Sequence, residues 1–497
     1  MARQIEDNEK IHDLAVQALR AMLAKFGVDH RFPTDAIWQF IPGGFEILST
    51  KKPHQPRRLV KEGYLTETGA KIKAQSGPRA GSPTTEYRFG QVLVPAHADP
   101  ATGTKSLSSL LAGEAPAPYA THSQAILGVQ DAMEAEGYVI SAAELANFLL
   151  AMTVSPLVIL SGISGTGKSL MPRKFAKFTN SRFRTIPVQP QWTDNSDLFG
   201  YVPSLASHTF IKGKIIDSIL DAKRNPGSLA IALLDEMNLA PVEHYFSDFL
   251  SVAESRERKG DRIRSDPLPI DLPAQPDESS LAICEELRGI ELPHNLRIVG
   301  TANMDETTHS FSPKVLDRAF TIEFDDPDLT AFASSGGSAR GSFETLAQAA
   351  INPANAINIM EAQTDSKELF ENVATWLDEI QSILSPAGIK FGYRTRDAIL
   401  LYLHFWRKFG LSDVLAGCAA LDFCLLQKVL PKISGSGDAL ETALKKIAEW
   451  LDARSEHQDG AEGINAEFSG PLERSQEKVS RMIALLDLDG ATRYWGA

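Results

Sequence analysis

One stretch of the sequence decides the fold: Leu157-Val158-Ile159-Leu160-Ser161-Gly162-Ile163-Ser164-Gly165-Thr166-Gly167-Lys168-Ser169. A short apolar run before a glycine-rich turn predicts a buried strand, and the lysine and hydroxyl residue after the turn predict a helix start. The glycines let backbone N–H groups approach phosphate oxygens, Lys168 can reach the β- and γ-phosphates, and the Ser169 hydroxyl can ligate Mg²⁺. We therefore expect a nucleoside-triphosphate site at Gly162 to Ser169 and the next residue, Leu170.

A second apolar run, Leu229-Ala230-Ile231-Ala232-Leu233-Leu234, ends in two acids, Asp235 and Glu236. The run predicts a buried parallel strand. Carboxylates at the end of such a strand are costly unless they hold an ion or take part in chemistry. Asp235 is therefore the expected second partner of Mg²⁺, and Glu236 is the expected base that orients the attacking water.

Composition is typical of a large multidomain protein. The chain has 497 residues, which suggests about three domains at ~150 residues each. Its three cysteines, Cys284, Cys418 and Cys424, show no metal-ligand or disulfide spacing, which favours a reducing cytoplasm. The sequence contains neither an apolar stretch near the ~20 residues that cross a bilayer nor a signal peptide, so we expect no membrane partner.

Charge is distributed unevenly along the chain. The net charge is −13, yet residues 51–90 hold nine basic and three acidic residues. Helical patterns followed by a predicted β-hairpin with a turn at 76–83 resemble a winged-helix DNA-binding domain, in which Arg57, Arg58 and Lys61 occupy the basic helix and Arg79 the wing tip. The alternative is a small domain with an ordinary solvated basic face.

Four regions follow from these patterns. Residues 1–95 form the winged-helix-like α+β domain, and the Pro-, Gly- and Ala-rich residues 96–121 form a linker. Residues 122–325 are expected to be an α/β nucleotide-binding domain with a parallel sheet. The helical patterns of residues 326–497 predict a lid and a further helical region.

Three stretches resemble the McrB-like branch of the AAA+ ATPases, which is grouped with the dynein-related AAA domains. They are 191–201, the run that begins at Asp235 and ends at Leu250, and 296–306. The last resembles the family's sensor strand, with Asn303 where a polar residue helps to hold the hydrolytic water. The family characteristically carries Met-Asn-Thr-Ala-Asp at this point, whereas this chain has Ala-Asn-Met-Asp-Glu at 302–306. The resemblance covers roughly residues 122–490.

Two arginine segments complete the resemblance. Residues 312–320 resemble the segment that carries the arginine finger, which makes Arg318 the candidate; an ion pair with Asp317 or another nearby acid is the alternative. Residues 391–400 resemble the start of the sensor-two helix in the lid. Arg396 is the preferred sensor because it opens an apolar helical repeat, and Arg394 is the second choice.

The resemblance implies a ring-forming NTPase, hexameric as in the family, that uses Mg²⁺ with ATP or GTP. We expect a McrB-like motor that binds DNA and powers restriction of foreign DNA with a separate McrC-like nuclease, because no nuclease cluster is recognisable in this sequence. Two alternatives remain: a MoxR-like chaperone that remodels proteins, and an NTP-switched DNA-binding regulator.

Overall fold

The structure is a computed structural model. It describes residues 121–260, 262–304, 308–325, 343–455 and 463–495, together with short elements within the first 120 residues. The chain divides into two compact units, Met1–Ala117 and Pro118–Ala497.

The first unit contains a small antiparallel sheet. Strands β4 and β5 pair as the hairpin expected around the turn at 76–83, and β2 adds to the other edge of β5. A separate parallel pair joins β1 and β3. The strands are β1 (Arg3–Ile5), β2 (Phe32–Pro33), β3 (Phe45–Ile47), β4 (Leu65–Lys73) and β5 (Pro83–Phe89). The proposed DNA contacts Arg57, Arg58, Lys61 and Arg79 lie outside the described residues, so the winged helix stays a prediction.

The second unit is built on a five-stranded parallel sheet of order β14-β6-β13-β10-β7. Its strands are β6 (Leu157–Gly162), β7 (Arg182–Pro187), β10 (Ala230–Asp235), β13 (Leu296–Asn303) and β14 (Phe320–Glu323). The predicted strands of the two motifs are thus β6 and β10, and the predicted sensor strand is β13. This confirms an α/β fold with a parallel central sheet, whose strands lie between Leu157 and Glu323.

Side chains of β6 alternate between two cores because successive residues of a strand point to opposite faces. Val158 and Leu160 pack into a core with the helices before β6 and after β14, whereas Leu157 and Ile159 pack into a core with the segments between β7 and β14. Both faces of the sheet are covered at β6 and β10, and therefore these two strands begin with continuous apolar runs rather than alternating patterns.

Helices and short hairpins surround this sheet. The helices up to β14 are α1 (His122–Ala135), α2 (Ala142–Val154), α3 (Leu170–Phe178), α4 (Ser196–Phe199), α5 (Ile216–Arg224), α6 (Val242–Tyr245), α7 (Ser247–Glu254), α8 (Leu281–Leu287) and α9 (Pro313–Leu316). Two antiparallel hairpins are β8 (Gly200–Tyr201) with β9 (Ile211–Lys212) and β11 (Glu257–Lys259) with β12 (Arg262–Arg264).

The described residues after β14 are mainly helical. They form α10 (Glu344–Ile351), α11 (Ile359–Asp365), α12 (Lys367–Leu384), α13 (Tyr393–Lys408), α14 (Gly417–Lys428), α15 (Asp438–Ser455), α16 (Ile464–Glu467) and α17 (Glu473–Asp489), with a terminal hairpin of β15 (Ser434–Ser436) and β16 (Ala491–Arg493). In the part of the chain that the structure describes, no helix combines the length and apolarity that a bilayer crossing requires.

Candidate nucleotide-binding site

Sheet order brings the predicted phosphate loop, sensor asparagine and acidic pair to the carboxyl ends of the strands. Strand β13 lies between β6 and β10, and Asn303 is in register with Gly162 at the carboxyl ends of their strands. Asp235 ends β10 one residue beyond Leu234, which pairs with Gly300 of β13. The phosphate loop, the sensor asparagine and the acidic pair therefore meet at the carboxyl edge, where ligands of open α/β sheets bind.

Two glycines of the phosphate loop are required by close contacts. Gly162 has φ +140°, and a Cβ there would lie 2.6 Å from the carbonyl oxygen of Phe324. Gly167 has φ +89°, and a Cβ there would lie 2.7 Å from the ring of Tyr138. The Tyr138 hydroxyl in turn donates to the Gly167 carbonyl at 3.3 Å. Any side chain at either position would displace the loop, so the glycines serve its shape as well as phosphate approach.

Lys168 folds back onto its own loop. Its Nζ donates to the carbonyls of Gly162 at 3.0 Å and Ile163 at 2.5 Å, and the residue is 6 % exposed. Burial lowers the pKa of Lys168, while the carboxylates of Asp325, Asp235 and Glu236 act in the opposite direction. A γ-phosphate would supply a negative partner for this buried ammonium, which is the role expected of the loop lysine.

Two oxygens suited to Mg²⁺ converge beside Lys168. The Ser169 hydroxyl donates to Asp235 Oδ1 at 2.7 Å, which joins the end of the phosphate loop to the end of β10. Hydroxyl and carboxylate oxygens are the hard ligands that Mg²⁺ prefers, and it usually adds substrate phosphates and water to them. No cluster of three or more His, Cys, Asp or Glu side chains suited to a metal occurs among the described residues. Ser169 and Asp235 therefore fit an ion that is completed by nucleotide.

Glu236 adopts a strained backbone conformation. Its φ of 54° and ψ of 50° lie in the left-handed region, which a non-glycine residue occupies only when its surroundings impose it. The Glu236 amide donates to Thr301 Oγ1 at 2.9 Å, and Asn303 Nδ2 donates to Glu236 Oε1 at 3.3 Å. Two side chains of β13 thus hold the backbone and the carboxylate of the expected base.

The sequence alone did not indicate three residues that organise this edge. Thr301 bonds to Asp235 as well as to Glu236, Tyr138 supports Gly167, and Asp325 accepts from the Ile163 amide at 3.0 Å. A threonine in a buried strand is unremarkable by pattern, and both Tyr138 and Asp325 reach the loop only through the tertiary fold. No sequence signal could have identified them.

A cavity of about 330 Å³ opens beside the loop. Thr166 and Asp325 line it, and so do three basic side chains of α17, Arg474, Lys478 and Arg481. Its volume is in the range of small-molecule pockets. The cavity can therefore admit the part of a nucleotide that projects from the phosphate loop.

The proposed lid sensor lies elsewhere. Arg396 pairs with the neighbouring Asp397 at 2.7 Å and stands over the ring of Tyr393, 4.7 Å from its centroid. Arg394 pairs with Glu254 at 2.5 Å. Neither belongs to the described lining of the cavity beside the loop, where the basic side chains come from α17. A role for Arg396 at the phosphates stays a prediction.

The proposed arginine finger lies at the amino ends of the strands, opposite the phosphate loop. Phe320 of β14 pairs with Val158 of β6, which places Arg318 near the amino end of β6, and the Ser155 hydroxyl there donates to the Arg318 carbonyl at 2.9 Å. The guanidinium forms an ion pair with Glu254 at 2.8 Å and donates to the carbonyl of Lys314. Within one chain, the alternative of an ion pair with a nearby acid is therefore what is seen, although the acid is Glu254 and not Asp317.

Known families match both halves of the second unit. Residues 157–319 match the AAA domain of the dynein-related subfamily, and residues 347–491 match a domain of unknown function, DUF8727. None of the curated proteins compared with the chain matches it.

One similar solved structure comes from Cytophaga hutchinsonii and is provisionally described as an ATPase. It is 17 % identical with a TM-score of 0.37, over 62 % of this chain and 87 % of that chain. Together with the geometry of Lys168, Asp235 and Glu236, the match of residues 157–319 shows that this part of the chain is an AAA+ NTPase domain of the dynein-related type.

Proposed function

We propose that the chain forms a homo-oligomeric ring in which each nucleotide is hydrolysed between two subunits. Hydrolysis then powers the restriction of foreign DNA, in the manner of McrB-like motors, with a separate McrC-like nuclease subunit. The nucleotide is ATP or GTP with Mg²⁺.

The position of Arg318 carries the proposal of a ring. Arg318 lies near the amino end of β6, and the phosphate loop begins at Gly162 at the carboxyl end. At ~3.3 Å per residue, six residues of strand separate the two edges by about 20 Å. Arg318 therefore cannot reach nucleotide on its own subunit. If the phosphate loop of a neighbouring subunit faces this edge, Arg318 can contact the γ-phosphate bound there, where an arginine stabilises the charge of the transition state.

Arg394 supports the same arrangement. It shares Glu254 with Arg318, so the two guanidiniums lie together on one carboxylate. The side chain of Arg394 is 50 % exposed and that of Arg318 is 20 % exposed. A pair of arginines that share one carboxylate at an accessible edge is an attractive surface for a polyanionic phosphate group.

Within the site, each residue has a distinct task. Bound Mg²⁺ would neutralise charge on the phosphate oxygens. Lys168 binds the terminal phosphates, and Glu236 accepts the proton of the attacking water or orients that water. Asn303 holds the Glu236 carboxylate through its bond at 3.3 Å. Nucleotide binding and hydrolysis therefore depend on different side chains.

DNA as the object of the motor is supported by the basic residues 51–90 and by the resemblance of residues 122–490 to McrB-like proteins. The test is the rate of hydrolysis of ATP and of GTP by the full chain, with and without duplex DNA, as a function of salt. Stimulation by DNA that weakens with salt is expected. Hydrolysis indifferent to DNA at every salt concentration would contradict a DNA-directed motor.

One observation favours a second candidate, a MoxR-like remodeller of proteins. Leu205 is fully exposed in the loop that joins β8 to β9, with Tyr201 44 % and Ile211 42 % exposed on the strands themselves. Exposed apolar side chains on this hairpin suit contact with an unfolded polypeptide better than with phosphates. If an unfolded protein stimulates hydrolysis, Leu205→Ser abolishes that stimulation, and DNA has no effect, the remodeller replaces the restriction motor.

A further inference from the structure

The backbone around Arg318 is held by side chains at every carbonyl. Lys428 Nζ donates to the carbonyls of Leu316 at 3.2 Å, Asp317 at 2.9 Å and Ala319 at 2.6 Å. The carbonyl of Arg318 itself accepts from the Ser155 hydroxyl. Four consecutive peptide groups that flank the arginine are thus fixed from outside their own segment.

Lys428 belongs to the C-terminal helical region, at the end of α14. It is 2 % exposed and stands over the ring of Phe320, 5.0 Å from its centroid. Burial lowers its pKa to about 7; Lys432 and Arg394 act in the same direction, whereas Asp317 and Cys424 oppose them. A buried ammonium is costly, and its three carbonyl acceptors offset part of that cost. An apolar side chain in its place would leave these three carbonyls without their donor. The backbone of residues 316–319 therefore depends on this one lysine.

A second lysine holds the same segment from the same side. Lys432, whose side chain is 9 % exposed, forms an ion pair with the Asp317 carboxylate. The guanidinium of Arg318 is held separately, by Glu254 at the end of α7. The C-terminal region thus holds residues 316–319 through Lys428 and Lys432, and the nucleotide-binding domain holds the Arg318 side chain through Glu254.

We propose that Lys428 is a positioning residue for Arg318, which makes hydrolysis in the neighbouring subunit depend on docking of the C-terminal helical region against residues 316–319. This inference rests on the proposed role of Arg318 in the ring. Lys428 touches the carbonyls on either side of the arginine, so its effect passes through the backbone of the finger. The C-terminal helical region would thereby control whether a subunit can activate its neighbour.

The variant Lys428→Met keeps the length and volume of the side chain and removes its donors. We expect the nucleotide affinity of the ring and its KM to stay within about twofold of wild type, because the phosphate loop is at the other edge of the sheet. We expect kcat to fall by about 10- to 100-fold, since a misplacement near 1 Å at a reacting group has effects of this size. The control is Lys446→Met, a change at an exposed lysine of α15, which should leave kcat unchanged.

Subunit mixing separates positioning of the finger from a merely structural role. In a mixed ring, a subunit with a defective finger but an intact Glu236 faces the intact finger of a Glu236→Gln subunit, so one kind of interface is active. Mixtures of Lys428→Met with Glu236→Gln should therefore recover hydrolysis. Mixtures of Lys428→Met with Arg318→Ala should not, because every interface then has a defective finger.

The mixing experiments have outcomes that would contradict the proposed role of Lys428. Suppose that mixtures of Arg318→Ala with Glu236→Gln recover hydrolysis. If Lys428→Met then recovers hydrolysis with neither of these variants, Lys428 does not act through Arg318. The same conclusion follows if Lys428→Met recovers hydrolysis with Arg318→Ala. If Arg318→Ala and Glu236→Gln recover no hydrolysis in rings shown to contain both variants, Arg318 does not act between subunits, and the inference about Lys428 is wrong as well. Should Lys428→Met fail to assemble, Lys432→Met removes only the tether to Asp317 and is put through the same mixtures with the same criteria.

Discussion

The hydroxyl of Thr301 donates a hydrogen bond to Asp235 Oδ1 across 2.8 Å. The same hydroxyl accepts a hydrogen bond from the amide of Glu236 at 2.9 Å, and Thr301 is 2 % exposed in β13. One buried hydroxyl therefore orients the carboxylate expected at Mg²⁺ and helps to hold the left-handed backbone of the expected base. The central strand of the sheet sets the geometry of both acids.

Replacing this hydroxyl should impair hydrolysis more than binding. We expect Thr301→Val to lower kcat by about 10- to 100-fold, because the backbone that carries the Glu236 carboxylate is no longer held in place. It should also lower the free energy of unfolding by about 1–3 kcal/mol, since the Glu236 amide is left without its acceptor. Steady-state kinetics and denaturant unfolding measure the two effects. Thr301→Ser keeps the hydroxyl and is the control; equal reductions of kcat in both variants would argue against this role.

Changes in the phosphate loop and in the acidic pair should affect different steps, nucleotide binding and nucleotide hydrolysis respectively. Lys168→Ala should abolish nucleotide binding, because it removes the ammonium that binds the terminal phosphates, whereas Glu236→Gln should bind nucleotide normally and fail to hydrolyse it. A fluorescent nucleotide titration and a phosphate-release assay distinguish the two. Near-normal hydrolysis by Glu236→Gln would remove it as the base.

Sequence sufficed for the parts of the site that are local in the chain. The glycine-rich loop and the acids at the end of β10 are contiguous motifs, and the parallel strands that carry them follow from continuous apolar runs. The positions of Arg318 and Arg394 could not be predicted in this way. They meet at Glu254 only because β14 aligns with β6 and α13 packs beside that edge, which is a consequence of tertiary packing. The contact of Lys428 with residues 316–319 could not be predicted for the same reason, because a lysine at a helix end is normally solvated.

Arg318 should act between subunits. We expect rings of Arg318→Ala alone and of Glu236→Gln alone to be inactive, and mixed rings to recover part of the wild-type rate, because some interfaces pair an intact finger with an intact base. The rate is measured over a series of subunit ratios, with mixing checked by an affinity tag on one variant. A chain that stays monomeric with every nucleotide would rule out the finger.

The basic residues 51–90 should contact duplex DNA. In the full chain, the double change Arg57→Ala and Arg58→Ala should weaken binding of all sequences alike and lower the slope of log K against log salt by about two, roughly one for each arginine that no longer neutralises a phosphate. If either arginine reads a guanine, discrimination at one position should fall by about 1–3 kcal/mol instead. Titrations on modified and unmodified duplexes at several salt concentrations test this. Unchanged affinity in the variant would favour an ordinary solvated basic face.

Stability should depend on pH through Lys428. Its pKa is about 7 in the folded chain because of burial, against an ordinary value of 10.5 for a lysine. Between these values the unfolded chain binds more protons at this residue than the folded chain does, so its contribution to stability is least favourable below pH 7 and improves as the pH rises toward 10.5.

The difference between wild type and Lys428→Met isolates this contribution, because methionine does not titrate and the other groups are common to both chains. We expect the stability of wild type relative to the variant to increase by about 1.4 kcal/mol for each pH unit between 7 and 10. Denaturant unfolding at four pH values measures it. A difference that stays constant across this range would mean that Lys428 remains charged in the folded chain, held by its three carbonyl acceptors.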